Sequence, residues 1–79
     1  MSAVPVILYS RAGCHLCDDA QRMLQRYGLE PRVVDIDTDP ALQERWNLCV
    51  PVVEIAGEVR FKGIINEVLL RRLLEKMSG

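Results

Sequence analysis

Two cysteines three positions apart stand between an apolar run and a segment with helical spacing. The run "VPVILY" predicts a strand over residues 5–10, buried on both faces, and from Leu16 onward apolar residues recur every three or four positions, which predicts a helix over 15–27. Cys14 and Cys17 therefore lie at a strand-to-helix junction. Unpaired amides and the positive end of the helix dipole are concentrated there. Two thiols at such a junction bind either a metal or each other.

The length and composition limit the chain to one small domain. Its 79 residues are 49% hydrophobic and 27% charged, which excludes a disordered chain, and no window approaches the roughly 20 apolar residues of a membrane span. The net charge is −1 with both signs interspersed, so neither a nucleic acid nor a membrane is expected as a partner. We expect a single domain over residues 1–79, in a monomer, with a thin core.

The N-terminus and the cysteine count indicate a cytoplasmic protein. The start "MSAVPVILYS" lacks basic residues, and Pro5 interrupts its apolar stretch, so it does not resemble a secretory signal peptide. The third cysteine, Cys49, makes the number odd, which fits a secreted disulfide framework poorly. In a reducing cytosol a close cysteine pair is more often a redox or metal site than a permanent bridge.

The remaining chain predicts a second strand, a short helix, a hairpin and a final helix. "RVVDID" predicts the second strand, parallel to the first, and residues 38–40 start a short helix that carries Leu42 and Trp46. "VPVVEI", an "AG" turn and "EVRF" predict the hairpin. The final helix has an apolar face, made of Leu69, Leu70, Leu73, Leu74 and Met77. The predicted order is β-α-β-α-β-β-α, an α/β fold.

The position of Cys14 at the start of the first helix predicts a reactive thiol. Only the thiolate attacks disulfides, and at helix N-termini or in this motif the pKa of a cysteine falls to roughly 3.5–7.5. Cys17, one helical turn further along, is placed to attack and so resolve a mixed disulfide formed by Cys14. Asp18 and Asp19 oppose a thiolate only weakly through solvent, and a protonated His15 would be a modulator that favours it.

A metal site is the competing interpretation, because Cys14, His15, Cys17 and Cys49 are all soft ligands. Zinc sites need two ligand pairs that converge from separate turns, and the second half of the chain offers only Cys49. Asp18, and not a histidine, follows Cys17, which argues against c-type haem attachment. We therefore expect no metal site.

These motifs taken together are similar to those of one family. "YSRAGCHLC" after a strand, "CVPVVEI" before a hairpin and a Gly-led terminal helix resemble the glutaredoxins of the thioredoxin-like fold, in particular a small glutaredoxin-like branch with a CHLC-type motif. The resemblance covers nearly the whole chain. It implies a four-stranded mixed sheet flanked by helices, thiol-disulfide oxidoreductase activity, and a cis peptide bond between Val50 and Pro51.

The resemblance also implies roles for individual residues. Cys14 is the nucleophile and Cys17 the resolving cysteine, with Pro51 lying against their disulfide. The substrate-binding residues are Arg11, which contacts a glutathione carboxylate, Val50, whose backbone pairs with the cysteinyl part of glutathione, and Pro51.

Two departures from the family pattern concern glutathione and the third cysteine. Ile65 stands where an aspartate that anchors the ammonium group of glutathione is expected, and Asn66 or Glu67 could take its place. Cys49 replaces the threonine before "VP" and is either a small inert side chain or a third redox position. No resident cofactor is expected, and glutathione is at most a co-substrate.

Two classes of function remain open. The first is a thiol-disulfide oxidoreductase whose partner is a disulfide-containing protein or a small thiol. The alternative is a thioredoxin-like binding or carrier module, whose cysteines hold a metal or make contacts without redox turnover. Trp46, Tyr9 and Phe61 are expected in the core or at its rim and not in the site.

Overall fold

A four-stranded mixed sheet is the frame of the molecule, which a computed structural model describes for residues 4–47 and 49–78. Residues 1–3, which begin the segment "MSAVPVILYS", lie outside the described residues. Within the described residues, no helix combines the length and the apolar character needed to cross a membrane. The strands are β1 (Val6–Ser10), β2 (Arg32–Asp35), β3 (Val52–Ile55) and β4 (Glu58–Lys62). The helices are α1 (His15–Arg26), α2 (Pro40–Trp46) and α3 (Glu67–Ser78), with a 3-10 turn at Ile36–Thr38.

The strands are arranged in the order β2-β1-β3-β4. β1 and β2 are parallel, as predicted, with Leu8 opposite Val33 and α1 as the crossover between them. β1 and β3 are antiparallel, and β3 and β4 form the predicted hairpin. The two-residue turn of the hairpin holds Ala56 at φ 53° and Gly57 at φ 84°, the left-handed geometry that matches the twist of antiparallel strands.

The second strand is shorter than the sequence predicts. The pattern indicates extension over residues 32–37, but β2 ends at Asp35. The Asp35 side chain accepts a hydrogen bond from the Asp37 amide at 2.8 Å, and the Thr38 hydroxyl donates to the Asp35 carbonyl at 2.7 Å. These local bonds compete with the sheet ladder and bend the chain into the 3-10 turn.

Two apolar clusters cover opposite faces of the sheet. Successive side chains of a strand point to opposite faces, and the adjacent residues Val52 and Val53 of β3 belong to different clusters. The smaller cluster consists of Ile36, Trp46 and Val52. The larger cluster joins the sheet to α1 and α3, and it contains Val6, Leu8, Ala20, Leu24, Val53, Ile55, Phe61, Ile65 and Leu70.

β1 is less completely buried than predicted. Val6 and Leu8 face the larger cluster and are buried, but Ile7 and Tyr9 are only half-buried. They face the side of the sheet that only the seven-residue helix α2 and the 3-10 turn cover.

The apolar face of α3 is also narrower than predicted. Leu70 is fully buried, and Leu73 and Leu74 pack against the larger cluster. Leu69 and Met77, which the spacing places on the same face, are exposed. One side of α3 therefore contacts the sheet and α1, while its flanks remain in solvent.

Candidate redox site

The candidate site is built on the turn between β1 and α1. Gly13 has φ 78°, and the Cys14 amide donates a hydrogen bond to the Arg11 carbonyl at 3.2 Å, which closes a four-residue turn. Cys14 is the N-cap of α1, and its sulfur accepts a hydrogen bond from the Cys17 amide at 3.1 Å. The helix thus begins at a residue whose sulfur takes the place of the usual capping oxygen.

Cys14 and Cys17 are joined in a disulfide, with their Cα atoms 5.2 Å apart. The two sulfurs are unequally accessible. Cys17 is 3% exposed, whereas Cys14 is half-buried at the edge of the turn. A reacting partner therefore reaches Cys14 more readily than Cys17.

Arg11 is held by contacts within the protein. Its Nε donates to both carboxylate oxygens of Asp37, at 3.2 and 3.1 Å, and its Nη2 donates to Asp37 Oδ1 at 3.0 Å. Asn47 accepts two further bonds, one from Nη1 to its carbonyl at 3.0 Å and one from Nη2 to its Oδ1 at 2.7 Å. Of the five guanidinium N–H groups, one on Nη1 has no partner among the described residues.

This network neutralises the charge of Arg11 and connects three parts of the molecule. Asp37 belongs to the 3-10 turn, and Asn47 directly follows α2. Hydrogen bonds from Gln43 and then from Arg11 lower the pKa of Asp37 below its usual value. Arg11 therefore anchors the turn of the site to the end of β2 and to α2, and its predicted contact with a glutathione carboxylate stays a prediction.

A second loop, residues 49–51, leads into β3. The Val50-Pro51 peptide bond is cis, as the resemblance implies, and Pro51 is buried. The Gly63 amide donates to the Pro51 carbonyl at 2.7 Å and to the Cys49 carbonyl at 3.2 Å. Val50 is half-buried and packs against the smaller cluster. The loop is thus fastened to the segment that connects β4 with α3.

Cys49 is a free, half-buried thiol. It packs against the smaller cluster, and its amide donates to the Trp46 carbonyl at 2.9 Å. In residues 4–47 and 49–78, no three His, Cys, Asp or Glu side chains are grouped so that they could hold a metal ion. This packing favours the inert role for Cys49, which stays a prediction.

His15 is the first residue of α1 and is exposed. Its side chain forms no hydrogen bond or ion pair with the residues that the structure describes. His15 directly follows Cys14 in sequence, and its role as a modulator is still a prediction.

The residues expected near the glutathione ammonium group all have other roles. Ile65 is 6% exposed and belongs to the larger cluster. The Asn66 side chain accepts a hydrogen bond from the Leu69 amide at 3.1 Å and so caps α3. Glu67 accepts a hydrogen bond from the Tyr27 hydroxyl at 2.5 Å and lies 3.9 Å from Arg26. Asn66 and Glu67 therefore both have contacts within the protein, and their part in place of the missing aspartate stays a prediction.

The aromatic residues lie where the sequence predicts them. Trp46 and Phe61 are buried in the two clusters, and Tyr9 is half-buried with its ring 6.0 Å from that of Trp46. The Tyr9 hydroxyl donates to Glu54 at 3.3 Å. Burial, with the nearby Glu54 carboxylate adding to it, raises the pKa of Tyr9. These contacts are structural.

Sequence reasoning missed two features of the site. The first is that Arg11 bonds with Asp37 and Asn47. The acidic run "DIDTD", which starts at the last residue of β2, was the available signal for Asp37. The second is the exposure of Leu16, which the helical spacing places among core-facing residues. It is 48% exposed, and Ile64 near it is 76% exposed. The position of Leu16 between the two cysteines was the signal for this second feature.

Comparison with known proteins agrees with this geometry. An X-ray structure of a structural-genomics target protein from X. campestris has a TM-score of 0.77 at 33% identity, over 90% of this chain and 96% of that chain. The solution structure of a protein from Nitrosomonas europaea has a TM-score of 0.75 at 24% identity, over 92% and 93%. The crystal structure of a glutaredoxin from Archaeoglobus fulgidus has a TM-score of 0.65 at 22% identity, over 90% and 86%.

The last two similarities are fold similarities, and they confirm the predicted thioredoxin-like arrangement of a four-stranded mixed sheet and three helices. The sequence pattern of the family described as Glutaredoxin-like domain (DUF836) matches residues 5–75. That match spans both the cysteine pair and the cis-proline loop. The chain therefore belongs to the glutaredoxin-like domain family.

Proposed function

We propose that this protein is a thiol-disulfide oxidoreductase that uses Cys14 as the nucleophile and Cys17 as the resolving cysteine. The observation that carries the proposal is the unequal setting of the two sulfurs. Cys14 is accessible, caps a helix and accepts a hydrogen bond from the Cys17 amide, while Cys17 is buried. The same amide and the helix dipole favour a thiolate on Cys14 after reduction.

The reaction proceeds in two exchanges. The Cys14 thiolate attacks one sulfur of a substrate disulfide, which forms a mixed disulfide and expels the other substrate sulfur as a thiolate that takes a proton from solvent. Cys17, as its thiolate, then attacks the Cys14 sulfur and releases the second substrate thiolate. The substrate gains two electrons, and the protein is left with the Cys14–Cys17 disulfide. A thiol reductant returns it to the dithiol by the reverse exchange.

Glutathione is a poor candidate for the main substrate of this centre. Arg11 is engaged by Asp37 and Asn47, and Ile65 faces the core. The groups that would hold the two ends of glutathione are therefore committed elsewhere. We propose a disulfide-containing protein as the substrate, with the protein acting as a monomer in the cytoplasm and without a resident cofactor.

Two variants test the mechanism, both in a Cys49→Ser background that removes the free, half-buried thiol. Reduced Cys17→Ser should accumulate a mixed disulfide with an acyclic model disulfide such as bis(2-hydroxyethyl) disulfide. Cys14→Ser should form none, because its remaining thiol, Cys17, is buried. Mass spectrometry after acid quenching identifies the adducts. Equal trapping in both variants would exclude the assigned roles.

Measurements on the wild-type protein distinguish the oxidoreductase from the alternative, a binding or carrier module without redox turnover. A redox enzyme should show a measurable Cys14–Cys17 reduction potential and catalyse repeated reduction of a protein disulfide such as that of insulin by dithiothreitol. A binding or carrier module should not accelerate that reaction. Wild-type protein without turnover would support the carrier role instead.

A further inference from the structure

An apolar groove lies between α1 and the segment that joins β4 to α3. It has a volume of about 230 Å³, and its lining includes Leu16 and Met23 from α1 and Ile64 from the connecting segment. We call it the Leu16–Ile64 groove. Neither cysteine lines the groove, but Leu16 lies between them in sequence, so this end of the groove is about one helical turn from Cys14.

Folding does not explain the two most exposed apolar side chains of the groove, Leu16 and Ile64. Ile65 already fills the core position in this segment, at 6% exposure, whereas its neighbour Ile64 is 76% exposed. Leu16 is 48% exposed, although the next core position of α1, Ala20, is buried. Exposed apolar side chains that meet in one concave surface beside a reactive group are typical of a partner contact.

The charge around the groove favours a cationic partner. Asp19 lines the groove, whereas Asp18 lines a different cavity, which Cys17 borders. Among the described residues neither carboxylate forms an ion pair. The nearby cation Arg11 is neutralised by Asp37 at 3.0 Å. Arg22 is exposed one turn further along α1, but Asp19 is the charged residue that lines the groove, so the groove itself has a negative edge.

The size of the groove limits what enters it. Sites for whole small molecules usually measure about 300–1,000 Å³, which is more than this groove provides. It fits one bulky aliphatic side chain. Glutathione has no such side chain and carries a net negative charge, so it matches neither the shape nor the charge of this surface.

We propose that the Leu16–Ile64 groove selects the substrate, by binding a bulky apolar side chain that lies close to the reacting cysteine and next to a lysine or arginine in a disulfide-containing protein. The apolar side chain contacts Leu16 and Ile64, and the basic side chain faces Asp19. This inference rests on the proposed oxidoreductase function, since it names the class of substrate that Cys14 attacks.

Peptides whose sequences are the same from either end test the proposal, because the direction in which a substrate chain crosses the site need not be known. Their sequences are Lys-Leu-Gly-Cys-Gly-Leu-Lys, the same peptide with serine for leucine, and the same peptide with glutamate for lysine. Each is prepared as its mixed disulfide with thionitrobenzoate. Reduced Cys17→Ser that also carries Cys49→Ser, so that Cys14 is its one thiol, attacks the peptide sulfur, releases coloured thionitrobenzoate and keeps the peptide as a stable adduct. Rates are divided by those with mercaptoethanol, which removes differences in intrinsic peptide reactivity.

The leucine-lysine peptide should react about tenfold faster than the serine peptide, as expected from burial of one aliphatic side chain. It should react about two- to fivefold faster than the glutamate peptide, the range expected for an exposed charge pair. In the same Cys17→Ser, Cys49→Ser background, Ile64→Ser should remove most of the leucine preference, and Asp19→Asn most of the lysine preference. Met77→Ser, at another exposed apolar residue, near the far end of α3, should retain both.

Other outcomes separate the two proposals. Equal rates for the leucine and serine peptides, a preference for glutamate, or an unchanged leucine preference in Ile64→Ser would overturn the groove assignment while leaving the exchange reaction intact. Absence of thionitrobenzoate release from every peptide would overturn the oxidoreductase function itself, and the groove assignment with it.

Discussion

A single methyl group on Gly13 tests whether the geometry of the turn before Cys14 supports the reaction. Gly13 has φ 78°, and a Cβ built there would meet no heavy atom within 4 Å. The substitution Gly13→Ala therefore introduces no clash and costs only backbone strain. For an L-residue in the left-handed region that strain is about 1–2 kcal/mol.

Gly57→Ala is a matched control. Gly57 has φ 84° and also no heavy atom within 4 Å of an added Cβ, so the strain should be similar. It lies in the hairpin turn beside Ala56, whose amide donates to the Pro5 carbonyl, at the opposite end of β1 from the cysteines. Both variants should lose similar stability, but only Gly13→Ala should slow the reaction of Cys14.

The stability loss is measured by urea unfolding of the oxidised proteins, with Trp46 fluorescence as the signal. With an m-value of roughly 1 kcal/mol/M for a small domain, each midpoint should fall by about 1–2 M. The rate at which reduced protein acquires a mixed disulfide in the Cys17→Ser, Cys49→Ser background gives the functional effect. An unchanged midpoint in Gly13→Ala would refute the left-handed turn, and equal slowing by Gly57→Ala would refute its local role.

Three further predictions concern single side chains. Gln43 and Arg11 lower the pKa of Asp37, so Asp37 contributes stability above its unfolded pKa of about 3.9 and loses it as the pH falls through the lower folded value. Asp37→Asn should therefore be less stable than wild type at neutral pH, and urea titrations should show that difference disappearing in strong acid. Ile65→Asp buries an unpaired carboxylate and should unfold more readily than Ile64→Asp in the same titration, without promoting turnover of a glutathione mixed disulfide. Cys49→Ser should leave the site disulfide intact, and a disulfide of Cys49 in peptide maps of oxidised wild type would contradict the inert role.

Local patterns accounted for the type and order of the regular elements. The apolar run before the cysteines, the three- and four-residue spacing after them and the "AG" turn each depend on neighbouring residues, so the chain shows them without tertiary information. The same is true of Cys14 at the helix start, because an N-cap is a property of its own turn. The prediction of a cis bond before Pro51 rested on the family resemblance and not on any local pattern.

The sequence by itself determined a small α/β chain with a thiol pair at a strand-to-helix junction, since periodicity and turn chemistry act over a few residues. Tertiary structure alone decided that Arg11 bonds with Asp37 and Asn47, which are 26 and 36 positions away. It also decided that Ile65 faces the core while Ile64 faces solvent. Neighbouring isoleucines are chemically identical, so only the packing of α3 against the sheet distinguishes them. As a result, Ile64 contributes an exposed apolar side chain to the groove near Leu16, and the position expected to carry an aspartate for glutathione, Ile65, belongs to the core.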